Sequence, residues 1–175
     1  MPSLEFKPWA ISSDRVVDPG VEHDHAGLMS DSDASSTANL VRLHLRFGWT
    51  MLLVFIFMGI GLEVLHGFKV PWYLDVGQET RRLMWNLSHA HGTLLSIVNL
   101  GFAFTLTRME GWSRASMTSK ALCAASVLLP GGFFAGGVVI YDGDPGLGIV
   151  LVPVGAIALL VATVSVVLGL RRFKA

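Results

Sequence analysis

The sequence predicts an all-α integral membrane protein: a four-transmembrane-helix antiparallel bundle with a disordered N-terminal tail. Three observations predict it. Hydrophobic residues make up 52% of the 175 and charged residues only 15%, whereas a typical soluble domain carries about a quarter charged residues. Seven of the thirteen acids fall within the first 38 residues, so the remaining chain is more apolar than the average suggests. Beyond residue 38 the chain is a series of long apolar runs separated by short polar joints. About 20 helical residues at 1.5 Å each cross roughly 30 Å of hydrocarbon, and the runs reach that length.

The organisation read from this pattern is a disordered, acidic, cytoplasmic tail over 1–38 and a four-helix membrane domain over 39–175. Its helices are expected at about 40–66, 81–106, 119–140 and 147–170. In the tail, seven acids stand against Lys7 and Arg15, with Pro2, Pro8, Pro19 and a Ser/Asp-rich stretch from Ser30. Such a segment buries too little apolar surface to offset its ordering entropy. Glu22-His23-Asp24-His25 within it resembles a metal-binding fragment but lacks anything that would pre-organise ligands. Phe6, Trp9 and Ile11 suit contact with a membrane surface or a partner. The opening residues show no basic region followed by an apolar one, so the first helix is expected to act as its own insertion signal.

The first helix is expected to end at Gly67 and Pro71. Trp72 and Tyr73 in the joint beyond it suit the lipid headgroup boundary. The second helix closes at Arg108, before the basic loop TRMEGWSRASMTSK. The third carries Pro130, which is expected to kink it, and Gly131, Gly132, Gly136 and Gly137, which let a neighbour approach closely. The segment from Tyr141 to Gly146 reads as a tight turn. Arg171, Arg172 and Lys174 close the fourth helix, in which Pro153 is a second candidate kink.

Lys and Arg set the expected orientation. Arg42, Arg46, Arg108, Arg114, Lys120, Arg171, Arg172 and Lys174 flank one side, against Lys69, Arg81 and Arg82 on the other. The excess marks the cytoplasmic face, so both termini are expected there, in a bacterial inner membrane. Formal net charge is zero, which offers no footprint for nucleic acid. Cys123, the single cysteine, cannot build an intrachain disulfide.

An ionisable group inside a span costs free energy unless it is paired or hydrated, so such groups are the functional candidates. Glu63 and His66, three apart near the outer end of the first helix, share a face. Glu-x-x-His is how helical bundles offer a carboxylate and an imidazole to one metal. His89 and His91 lie on the second helix. At 100° per residue, Ser88, His89, Gly92, Thr93, Ser96 and Asn99 form one stripe, and His91 points elsewhere. Glu63, His66, His89 and His91 are therefore the candidate metal ligands. Imidazole suits zinc, copper and iron, and two axial histidines suit haem. His44, about 33 Å along the helix from His66, cannot join them. Asp142 and Asp144 could complete a cation site, but Asp-Gly-Asp-Pro-Gly is read foremost as a tight helix–helix turn.

Three functional readings remain open. The chain is a small multi-pass membrane protein binding a metal or haem through the Glu/His cluster, or an accessory or assembly subunit of a membrane complex. Alternatively it is a proton-coupled carrier element in which Glu63 and His89 exchange protons. Partners expected are the lipid bilayer and a homo-oligomer or larger membrane complex, with no nucleic acid. No Walker loop, His-Glu-x-x-His, Cys-x-x-Cys-His or nucleophile elbow occurs, so no reaction is assigned from motifs.

Overall fold

The computed structural model describes residues 19–74, 79–109 and 111–172, with side chains from residue 34 onward. The opening residues with Phe6, Trp9 and Ile11, and the side chains of Glu22 to His25, lie outside the described residues, as does Lys174. The chain divides into two compact units, Met1–Ser32 and Asp33–Ala175. The second unit holds the helical bundle and every candidate site residue.

The structure is mostly helical. Its elements are α1 (Pro19–Gly67), a single turn α2 (Pro71–Leu74), α3 (Glu79–Leu106), α4 (Ala115–Val138), a two-stranded ribbon β1 (Ile140–Tyr141) and β2 (Asp144–Pro145), a 3₁₀ turn (Leu147–Val150) and α5 (Leu151–Leu170). Among the described residues, three helical stretches are long and apolar enough to cross a membrane: Ala34–Gly67, Ala115–Val138 and Leu147–Leu170. The fourth expected span, α3, has the length, at 28 residues. Its stripe of Ser, Asn and His makes it less apolar than the other three.

Each helix end has a local cause. At the end of α1 the Val70 N–H donates to the Leu65 carbonyl and the Lys69 N–H to that of His66. This is a Schellman closure, and it puts Lys69 in the left-handed region at φ 50°. Gly67, the expected stop, is the last helical residue instead. Pro71 opens α2, where a missing N–H costs nothing. Between α4 and α5, Asp142 (φ 48°) and Gly143 (φ 91°) form the two-residue turn of an antiparallel ribbon pairing Ile140 with Pro145 and Tyr141 with Asp144. Two consecutive positive φ values define the type I′ geometry that Asp-Gly favours. Pro153 falls in the first turn of α5, where its missing N–H would have no partner within that helix.

Small residues set the helix spacing. A side chain on Gly92 of α3 would strike the Phe55 ring of α1, and one on Gly59 the His89 ring. Gly48 receives Leu100 in the same way. These contacts define an antiparallel α1/α3 register. On the other side, Gly132 meets Val152 and the Gly148 carbonyl, while Gly155 meets the backbone of Leu129. The α4 and α5 backbones therefore touch nearly directly, the close approach that small residues permit. α3 lies at the centre, packed on α1 and α4.

The outward surfaces are apolar. Trp49, Phe57, Phe104, Ile157 and Leu160 are each more than 60% exposed.

Candidate functional site

The sequence candidates do not converge. Glu63 and His66 are exposed on α1. His89 directs Nδ1 at the Phe55 carbonyl, 2.8 Å away on α1, and its ring lies flush on Gly59. His91 directs Nδ1 at the Leu87 carbonyl one turn back, at 2.8 Å, and its ring meets Phe133 of α4 at 4.9 Å. The two histidines thus leave α3 toward different neighbours, as two residues 200° apart must. Among the described residues, no group of three or more His, Cys, Asp or Glu side chains is placed to hold a metal ion. No hydrogen bond joins Glu63 to His89 there either. Asp142 and Asp144 are exposed on the ribbon.

Instead, the polar side chains that the structure does bring together surround His44. This imidazole is fully buried and sits edge-on to Phe102 at 4.7 Å. Its Nδ1 lies 2.7 Å from Asn99 Oδ1 on α3, and its Nε2 2.8 Å from Ser119 Oγ on α4. Asn99 donates one amide hydrogen to the Leu95 carbonyl and the other to Ser126 Oγ, at 2.7 and 2.8 Å. Ser126 in turn donates to the Leu122 carbonyl.

The proton positions follow from this inventory. Both amide hydrogens of Asn99 are used, so its oxygen must accept, and Nδ1 of His44 must be the donor. A neutral ring then accepts at Nε2, and Ser119 supplies the hydroxyl hydrogen. Every donor has one acceptor, which is what a polar group buried away from water requires. Three helices are tied through one ring. Ser119 and Ser126 are seven apart, two turns on one face of α4.

A second polar knot closes the other end of α4. Arg81, buried to 7% exposure, donates from Nε to the Gly137 carbonyl at 3.1 Å and from Nη1 to the Trp72 carbonyl at 3.3 Å. Its guanidinium lies 4.6 Å from the Trp72 ring centre. Gly137 is in the last turn of α4, so its carbonyl has no helical partner, and the cation sits at the negative end of the helix. Trp85 stacks between Tyr73 and Phe134 and donates to the Phe134 carbonyl at 3.2 Å. The Tyr73 hydroxyl is held above its ordinary pKa of 10.0, first by burial; Arg82 opposes the shift and Glu63 adds to it. Thr80 donates to the Gly143 carbonyl, fixing the ribbon to the start of α3.

Two further serines of α3 are also committed. Ser88 donates to the Pro130 carbonyl at 2.8 Å and Ser96 to the Gly92 carbonyl at 2.7 Å. Among the described residues, Thr93 Oγ1 alone is a buried side-chain polar atom without a partner.

Distance along the helix sets His44 apart from His66, which is why sequence reasoning misses the junction. The usable signal is the α1/α3 register. Gly48, Gly59 and Gly92 mark the points of close approach, and that register carries His44 to the depth of Asn99.

Comparison with protein families, curated proteins and solved structures finds no match. The geometry of the bundle is therefore the whole basis for a functional reading.

Proposed function

We propose that this chain is a four-span integral membrane protein, with both ends cytoplasmic, that serves as an accessory or assembly subunit of a membrane complex. The observation that carries the reading is how the polar atoms of α3 are used. Ser88, His89, Ser96 and Asn99 bond to neighbouring helices or to their own backbone. That is polar side chains acting as glue between membrane helices. It also supports α3 as the fourth span: a helix whose polar stripe is satisfied inside a bundle, Thr93 Oγ1 apart, can cross lipid although it is less apolar than its neighbours. The exposed apolar surfaces of α1 and α5 are those a bilayer or a membrane partner would cover. The Lys/Arg bias supports the orientation.

Purification in mild detergent is the test. A defined partner in stoichiometric amount, whose abundance falls when this chain is deleted, is the expected result. A lone monodisperse protein whose deletion changes no partner would overturn the subunit role.

One observation favours a second reading, metal or haem ligation by His89 and His91. Both rings have Nδ1 held by a backbone carbonyl, the arrangement that leaves Nε2 free to ligate. Elemental analysis of chelator-free protein checks it. Near-stoichiometric iron, copper or zinc that is lost in His89→Ala would support ligation, and metal-free protein would exclude it.

A further inference from the structure

A cavity system lies where α4 begins and α5 ends. A cleft of about 180 Å³ is lined by Trp112, Ser113, Arg114, Gly169 and Arg172, among others. Arg114 and Arg172 are exposed. Among the described residues, the one ion pair is Arg82 with Glu79, so neither arginine is neutralised by a carboxylate there. The amino end of α4 and the carboxyl end of α5 meet at this point, and their opposite dipoles roughly cancel. The guanidinium groups therefore set the local charge.

One helical turn further along both helices the lining changes character. A trough of about 310 Å³ runs between α3, α4 and α5, bordered by Gly101, Phe102, Thr118, Ala162 and Val166. Thr118 is one turn beyond Arg114 on α4, and Val166 is about one turn before Gly169 on α5. Trp112 links the two spaces: it lies flush on Gly169 and meets Phe102 edge-on at 6.3 Å. Its ring suits the headgroup boundary of a bilayer. A basic mouth, an aromatic rim and an apolar trough succeed one another in the order of a phospholipid's own parts.

We propose that this is a binding site for one anionic phospholipid, its phosphate between Arg114 and Arg172 and an acyl chain in the trough beside Gly101. The proposal rests on the reading of the chain as a membrane protein. Charge decides the choice of lipid. The trough would take any acyl chain, whereas two arginines at the mouth, unpaired with any carboxylate among the described residues, favour a net negative headgroup, by about fivefold each.

Native mass spectrometry of the full chain in detergent, titrated with phosphatidylglycerol or phosphatidylcholine of identical tails, tests it. Phosphatidylglycerol should bind about tenfold or more tightly than phosphatidylcholine. Arg114→Gln and Arg172→Gln should each weaken phosphatidylglycerol about fivefold and phosphatidylcholine, whose choline offsets the shared phosphate, by less, so that the preference shrinks. Gly101→Leu adds a side chain to the trough's lining, where a Cβ clashes with nothing; it should weaken both lipids. Equal binding of the two lipids, or indifference to the arginine changes, would overturn the site. Displacement by inorganic phosphate alone at millimolar concentration would also overturn it, in favour of a free-anion site. An alkaline carbonate wash of membranes separates the two claims. Release of the chain would defeat the membrane reading and the lipid site together, whereas retention with equal lipid binding would defeat only the second.

Discussion

The two polar knots of this bundle solve the same problem with different chemistry. At His44 the partners are side chains from two other helices, 55 and 75 residues away in sequence, all buried. At Arg81 the acceptors are backbone carbonyls, at the end of α4 and in the short turn before α3, and the surroundings are aromatic. The location explains the contrast. Inside α4 a carbonyl that already serves the helix can take a second donor, as those of Leu122 and Pro130 do, but the His44 Nε2 must itself accept and so needs a side-chain hydroxyl. At a helix end the orphan carbonyls are available, and a cation is the partner that also suits the dipole. An interior knot thus needs several residues matched at once, while an end knot needs one well-placed arginine.

The comparison can be broken first at Asn99. Asn99→Leu removes three hydrogen bonds and strands the His44 ring, and each stranded buried group costs about 1–3 kcal/mol. The largest loss of stability, roughly 3 kcal/mol or more, is expected here when unfolding is followed in micelles. A loss under about 1 kcal/mol, the worth of one average membrane hydrogen bond, would mean the junction is not cooperative.

Arg81→Met comes next. It gives up two charge-assisted bonds and the contact with Trp72 but keeps the apolar stem, so a loss of about 1.5–3 kcal/mol is expected. Arg81→Lys should recover little of it, since one ammonium cannot reproduce the fork over both carbonyls. Full recovery by lysine would show that charge alone matters at this end.

Tyr73 gives the smallest and most local effect. Burial keeps its phenol neutral, so its folded pKa lies above the ordinary 10.0. The associated stability is present below about pH 10, the unfolded value, and is lost as pH rises through the folded value. Ultraviolet titration in a Tyr141→Phe background isolates Tyr73, as the sequence holds only two tyrosines. Glu63→Gln should bring its titration down, because a nearby carboxylate disfavours phenolate. An unshifted curve would separate Glu63 from this knot.

What the sequence reveals of these regions depends on the range of each signal. The polar stripe of α3 is periodic within one helix, and Ser88, Gly92, Ser96 and Asn99 are all buried in the structure. The Asp142-Gly143 turn is local too, and it is read from two residues. The direction of His91 away from His89 comes from helical geometry alone. The His44 junction is not legible in this way, because it depends on the relative depth of three helices. A shift of one turn would place a different residue opposite His44, and sequence periodicity says nothing of such shifts. The start of α4 at Ala115, four residues before the expected Ser119, has a similar cause. Trp112 and Met109 pack beneath α5 at Gly169 and support a helical turn that the polar loop composition alone does not suggest.

The central claim is that polar side chains here join helices rather than hold a ligand, and a double-mutant cycle between His44 and Asn99 tests it most directly. His44→Leu, Asn99→Leu and the double variant would be unfolded in the same micelles as the wild type. A junction that joins helices predicts a double variant more stable than the sum of the two single losses implies, with a coupling of about 1 kcal/mol or more. Additive losses, with no coupling, would contradict it.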